Sequence, residues 1–106
     1  MFARIVSMRL KPNMTVEFTQ TIEKRVLPIL RRQRGFRDEI TFIDPGGVEA
    51  VGISLWDSPD QADAYNTGSY GEVLKELNKL VEGTPQVKTY DVANSTAHNI
   101  AARPAA

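Results

Sequence analysis

The chain has 106 residues, enough for one domain and too few for a second full hydrophobic core. Lys and Arg number 13 and so do Asp and Glu; this neutral total argues against phosphate-neutralising nucleic-acid binding and against an electrostatic membrane anchor. There is no cysteine, which excludes disulfides, thiolate nucleophiles, iron–sulfur clusters and cysteine-based zinc sites.

Phe2 to Leu10, rich in Val, Ile and Phe, is predicted to be a strand that Lys11-Pro12-Asn13 ends. Arg4 and Arg9 interrupt its apolar run, so it does not read as a signal peptide. A helix is expected from about Val16 to Gln33, because Phe18, Ile22, Val26, Ile29 and Leu30 recur at three- and four-residue steps. Glu17 and Glu23 lie early and Arg31, Arg32 and Arg34 late, as the helix dipole prefers, and Gly35 supplies the stop. Pro28 removes one backbone donor inside this helix and predicts a bend. Phe36 to Ile43 and Val48 to Trp56 read as a hairpin around Asp44-Pro45-Gly46-Gly47. In the second arm Val51, Ile53 and Leu55 share one side, and Ala50, Gly52, Ser54 and Trp56 the other.

Ser58-Pro59-Asp60-Gln61 has the form of a capping box with Pro at the first helical position. The helix it opens is expected to break near Asn66-Thr67-Gly68. Ser69-Tyr70-Gly71-Glu72 reads as a second capping box, before a helix carrying Val73, Leu74, Leu77, Leu80 and Val81. Gly83-Thr84-Pro85 should end that helix, and Gln86 to Val92 is the last predicted strand. Residues 93–106 are expected to form an extended arm or tail of the single domain. No stretch reaches transmembrane length, and the absence of cysteine fits a cytoplasmic protein.

The β-α-β-β-α-β order predicts an α+β, ferredoxin-like sandwich: an antiparallel sheet with helices on one face. The face of Ala50, Gly52, Ser54 and Trp56 is expected to be the uncovered one. A bare sheet face is commonly closed by a second copy about a twofold axis, so a homodimer is expected.

Gly35-Phe36 at the start of a strand, and the run Ser54-Leu55-Trp56-Asp57-Ser58-Pro59-Asp60-Gln61-Ala62-Asp63-Ala64-Tyr65, resemble the antibiotic-biosynthesis-monooxygenase-like family of the dimeric α/β-barrel superfamily. The resemblance runs along the chain to about Val92. It implies a homodimer, a mostly apolar pocket between helices and sheet, and oxygenation of a small electron-rich aromatic such as a quinol or anthrone without metal or organic cofactor. Many relatives carry Glu where this chain has Ser54. In the haem-degrading branch the matching positions hold Asn, Trp and His; here they are Met8, Tyr65 and Lys75, which argues against haem degradation.

Tyr65 and Tyr70 flank the helix break and are the expected catalytic residues, since a tyrosine hydroxyl can donate to a developing phenolate; the alternative is two half-buried structural tyrosines. Trp56, Ser54, Ser7 and Met8 are the expected ligand-binding residues. Trp56 either stacks on an aromatic ligand or anchors the following helix, and the serines either act as small donors or let two sheets approach. His98, the lone histidine, reads as a solvated tail residue unless the arm delivers it to a partner subunit. Asp38 and Glu39 read as edge-strand charges without a partner, and the Arg31-Arg32-Gln33-Arg34 cluster with Arg37 as dipole complementarity.

Two functions fit these residues: the monooxygenase, and a non-catalytic small-ligand-binding or dimerisation module of the same fold. RNA binding shares the element order, but the central strand Val48 to Leu55 lacks the aromatics on which bases would stack.

Overall fold

The computed structural model describes residues 1–100. Strand β1 (Phe2–Leu10) leads into helix α1 (Thr15–Thr21), a π-helical turn (Ile22–Val26) and helix α2 (Leu27–Arg31). Strands β2 (Phe36–Ile43) and β3 (Glu49–Trp56), helices α3 (Pro59–Thr67) and α4 (Tyr70–Leu77), and strand β4 (Val81–Asp91) complete the fold. The sheet is antiparallel in the order β2-β3-β1-β4. This is the expected α+β, ferredoxin-like arrangement.

The long first helix is continuous, and its bend has a chemical cause. Pro28 has no N–H to give to the carbonyl of Lys24, and its ring would crowd that carbonyl. The helix widens one turn earlier, where the Leu27 N–H reaches back five residues to the Ile22 carbonyl. Phe18, Ile22, Val26, Ile29 and Leu30 all stay buried against the sheet.

The hairpin turn forms as its sequence dictates. Gly47 takes φ of +69°, and Asp44 Oδ1 accepts the N–H groups of Val48 and Glu49, each at 2.7 Å. These bonds hold the Asp44 carboxyl below the usual carboxylate range. Gly35 sits at φ of +83°, and a Cβ there would lie 2.1 Å from Gln61 Oε1.

Three expectations need correction. Ser58 does cap α3, accepting the Gln61 N–H at 3.3 Å, but Ser69 does not cap α4. Ser69 has helical φ and ψ of −78° and −11°, and its hydroxyl accepts a bond from Gln33 Nε2 instead. Helix α4 ends at Leu77, because Val81 pairs with Leu10 in the sheet and sheet pairing takes the backbone from there. Gly83-Thr84-Pro85 therefore forms no helix stop. It is an irregularity inside β4, where Arg9 faces Glu82 and Ser7 faces Gln86.

The third correction concerns the two sheet faces. Ala50 and Trp56 are fully buried and Ser54 nearly so, in register with Met8, Phe2 and Arg4 of β1. That small-residue face lies under the helices, because Phe18, Leu30 and Leu77 need the room that Ala50, Gly52 and Ser54 leave. The open face carries Val51, Ile53 and Leu55 beside the exposed Ile40, Phe42 and Tyr90.

The arm after β4 folds back within the chain. The Val92 N–H donates to the Met1 carbonyl, and Ser95 and Ile100 form a short bridge. The last six residues of the expected arm lie outside the described residues. Among the described residues, no helix is long and apolar enough to cross a membrane.

Candidate functional site

Between the covered sheet face and the helices lies a cavity of about 50 Å³. Its floor includes Val6, Met8 and Gly52, and its roof includes Phe18, Ile22 and Leu77. A Cβ on Gly52 would meet nothing within 4 Å, so the missing side chain is part of the empty space. Arg4, Glu39, Thr41, Ser54, Tyr65 and Tyr70 bring polar groups to this apolar shell.

An aromatic row leads into the site. Phe36 meets Trp56 edge-on at 5.6 Å, Trp56 stacks on Tyr65 at 5.1 Å, and Tyr65 lies 5.8 Å from Tyr70. Trp56 is wholly buried; its indole N–H donates to Ser54 Oγ at 2.9 Å, and that hydroxyl donates to the Arg4 carbonyl at 3.4 Å. Ser54 thus ties Trp56 to β1. Burial pushes the Tyr65 hydroxyl up to about 12, against the opposing pull of the Arg4 charge. At ordinary pH Tyr65 is a neutral donor and never a base.

Glu39 reaches the cavity because of a bulge. Phe36 faces Trp56 while Asp38 faces Leu55, so β2 spends one extra residue there and the alternation of its side chains flips. Asp38 turns to the open face and Glu39 to the covered one. Burial pushes the Glu39 carboxyl above its ordinary range, the neighbouring Asp38 adds to the rise, and a hydrogen bond from the Thr41 hydroxyl opposes it.

Of the sequence-predicted residues, Met8, Ser54, Tyr65 and Tyr70 line the cavity and Trp56 stacks on its Tyr65 wall. Ser7 does not join them: it is on the open face, half-buried, one residue out of phase with Met8. His98 is neither in the cavity nor solvated. Its Nε2 lies 3.2 Å from Asp38 Oδ2 on the open face, so Asp38 has a partner after all. Arg37 likewise pairs with Asp57 through two bonds, one of them 2.8 Å, which takes it out of the basic cluster.

Sequence reasoning missed Arg4 and Glu39 as site residues. For Arg4 a signal existed, since even-numbered positions of β1 are otherwise apolar and a charge among them must be satisfied inside. For Glu39 there was none, because the bulge leaves no mark in the sequence.

The architecture defines a class: a ferredoxin-like sheet whose helix-covered face encloses an apolar cavity carrying a carboxyl and two tyrosines. No protein-family model and no curated protein sequence matches this chain. Solved structures do match it. A monooxygenase from Streptomyces coelicolor, ActVA-Orf6, determined with nanaomycin D, superposes with a TM-score of 0.75 at 18% identity, covering 89% of this chain and 88% of that one. SnoaB, a cofactor-independent oxygenase from Streptomyces nogalater, gives a TM-score of 0.72 at 15% identity over 90% of this chain and 95% of its own. A protein of unknown function from Nitrosomonas europaea gives 0.73 at 14% identity over 99% and 95%. This chain has the fold of antibiotic-biosynthesis-monooxygenase-like proteins.

Proposed function

We propose that this protein is a monooxygenase acting on a small electron-rich aromatic of the quinol or anthrone type, with the substrate itself as the reductant of dioxygen. The observation that carries this reading is that one apolar cavity is lined by both Glu39, from the sheet, and Tyr65, from α3. Glu39, raised by burial, is the base that takes the phenol proton, and Tyr65 is the donor that steadies the resulting oxyanion. The anion passes an electron to dioxygen, and the radical pair combines into a peroxide. For an anthrone, loss of water from that peroxide leaves the quinone: the ring methylene gives up two hydrogens, one oxygen atom stays and the other departs as water. The monooxygenase ActVA-Orf6 and the cofactor-independent oxygenase SnoaB share this fold and support this class of chemistry.

A cavity of about 50 Å³ holds water and not an aromatic ring, since small-molecule sites run to roughly 300 Å³ or more. Substrate entry therefore needs α4 to move. Tyr70, Val73 and Leu77 of α4 line the cavity, and Gly68-Ser69 joins α4 to α3. The same small cavity favours a second reading, a non-catalytic small-ligand-binding or dimerisation module.

We further propose that the open face receives a second copy of the chain, because Phe42 at 53% and Ile40 at 44% exposure leave apolar area facing water. Thermal shift against a panel of quinols and anthrones, with oxygen uptake in the same wells, tests the function. A raised midpoint with oxygen consumption that Tyr65→Phe lowers supports the monooxygenase. A raised midpoint without consumption leaves the binding module, and no shift across the panel removes both small-aromatic readings.

A further inference from the structure

Among the described residues, Arg4 and Ser54 are the polar side chains buried in the fold, and Arg4 alone carries a charge. Arg4 is only 3% exposed. All 13 Asp and Glu side chains lie within residues 1–100, yet none forms an ion pair with it. Among the described residues the ion pairs are Arg9–Glu82, Arg37–Asp57 and His98–Asp38. What Arg4 has instead is neutral: one bond from Nη2 to Asn66 Oδ1 at 2.8 Å, and the rings of Tyr70 and Tyr65, whose centroids lie 3.9 and 5.1 Å from its Cζ.

A guanidinium has five N–H donors in a rigid fork that fits a carboxylate edge to edge, and a buried charge without a counter-ion is costly. Stacking over Tyr70 and the bond to Asn66 fix the fork in place, so the cation is held ready and, among the described residues, left without an anion. Its position is equally specific. Arg4 lines the cavity on one side and, on the other, a groove of about 390 Å³ bounded by Phe2, Val87 and Thr89 of the sheet and by Ala62 and Asn66 of α3.

We propose that Arg4 is an anion-reading residue and that the ligand of this site is an aromatic carboxylate, its ring in the cavity and its acid group on Arg4 at the wall shared with the groove. The proposal rests on the reading that an aromatic occupies the cavity, and not on its turnover. Glu39 also lines the cavity, but its carboxyl accepts a bond from the Thr41 hydroxyl and forms no ion pair with Arg4. Asp60 and Asp63 also border the groove, but both are exposed, where water and salt screen them.

The test compares a hydroquinone bearing a carboxymethyl arm with its primary amide, which has nearly the same size and no charge. Trp56, the single tryptophan, stacks on the cavity wall and reports binding by fluorescence, with oxygen uptake recorded in parallel. At neutral pH the acid is expected to bind at least about tenfold more tightly than the amide, the low end for a charge-assisted bond. Arg4→Gln should abolish that preference, bringing the acid-to-amide affinity ratio to about one. Should Arg4→Gln fail to fold, the acid-to-amide ratio of the wild-type protein still decides. Equal affinity for both, or binding of neither, overturns the proposal. If the amide binds equally well and is consumed with oxygen, the monooxygenase stands without the anion site. Preferential acid binding without oxygen uptake leaves the anion site and removes the monooxygenase.

Discussion

The two faces of the sheet are built from the same alternating strands and end in opposite states. On the covered face, Ala50, Gly52 and Ser54 are small, and the helices fill most of the space above them with Phe18, Leu30 and Leu77. On the open face, Ile5, Val51, Ile53 and Leu55 are larger yet only half-buried, beside the exposed Ile40, Phe42 and Tyr90. Apolarity does not decide which face becomes the core of this protein; volume does. The helices bring bulky side chains and settle where the strands offer room, and what they do not fill becomes the cavity. The bulkier face is left for the chain's own arm, which reaches Asp38 through His98, and for whatever else the protein meets.

The sharpest way to break this contrast is to truncate one aromatic on each face. Trp56→Ala removes a wholly buried ring that holds both Phe36 and Tyr65, and should cost about 3–5 kcal/mol in urea denaturation. Phe42→Ala, on the open face, should cost less than about 1 kcal/mol when the chain is dilute. Comparable costs would mean that Phe42 is packed within the isolated chain. The next effect is chemical. Glu39→Gln keeps the shape and the Thr41 contact but removes the base, and should lower oxygen uptake about 10²–10⁴-fold. In the wild-type protein the rate should climb as pH rises through the raised Glu39 value, because the base must be ionised, and that limb should vanish in Glu39→Gln. Stability runs the other way. A carboxyl whose folded value is raised contributes most below its unfolded value, and loses that contribution as pH rises through the folded one. Above that point Glu39→Gln should therefore be more stable than the wild type while less active.

The open face makes its own prediction. Phe42→Asp puts a charge within the proposed contact with a second copy, and should weaken self-association at least about thirtyfold, as loss of an interface anchor does. Sedimentation velocity over a concentration series measures it. A wild-type protein that stays monomeric at every concentration would remove the proposed dimer outright, and would leave the arm as the sole cover of this face.

Much of the fold was legible because it is written locally. The first strand, the Asp44-Gly47 turn, the Ser58 cap and the break after Thr67 each follow from a few neighbouring residues with fixed backbone preferences. Pro28 announced a bend, though not the π turn that absorbs it. The site was less legible, for reasons that are not local. Tyr65 and Tyr70 are singled out by the helix break between them and Met8 by the family resemblance, and all line the cavity, but Glu39 is aimed by a bulge that exists only once β2 pairs with β3. The assignment of faces failed because both sides of β3 are apolar, and alternation names two faces without saying which one the helices take. Ser69 shows the same limit: its capping pattern is sound, yet Gln33, 36 residues earlier, claims its hydroxyl.

The smallest effect sharpens the comparison most, because it moves stability and binding in opposite directions. Gly52 lies on the covered face of β3, in register with Val6, and a Cβ there would point into open space. Its backbone is ordinary strand rather than the left-handed region, so alanine is tolerated without strain. A glycine inside a strand costs conformational entropy that alanine does not, so Gly52→Ala should stabilise the fold by about 0.5–1 kcal/mol. The added methyl enters a cavity of only about 50 Å³, and should weaken the binding of any ring that enters it. A stabilised variant with reduced Trp56 quenching by quinols would mean that Gly52 keeps the cavity open for a ligand at the fold's expense. A stabilised variant with unchanged binding would place the ligand elsewhere, and the groove beyond Arg4 would then be the site to test.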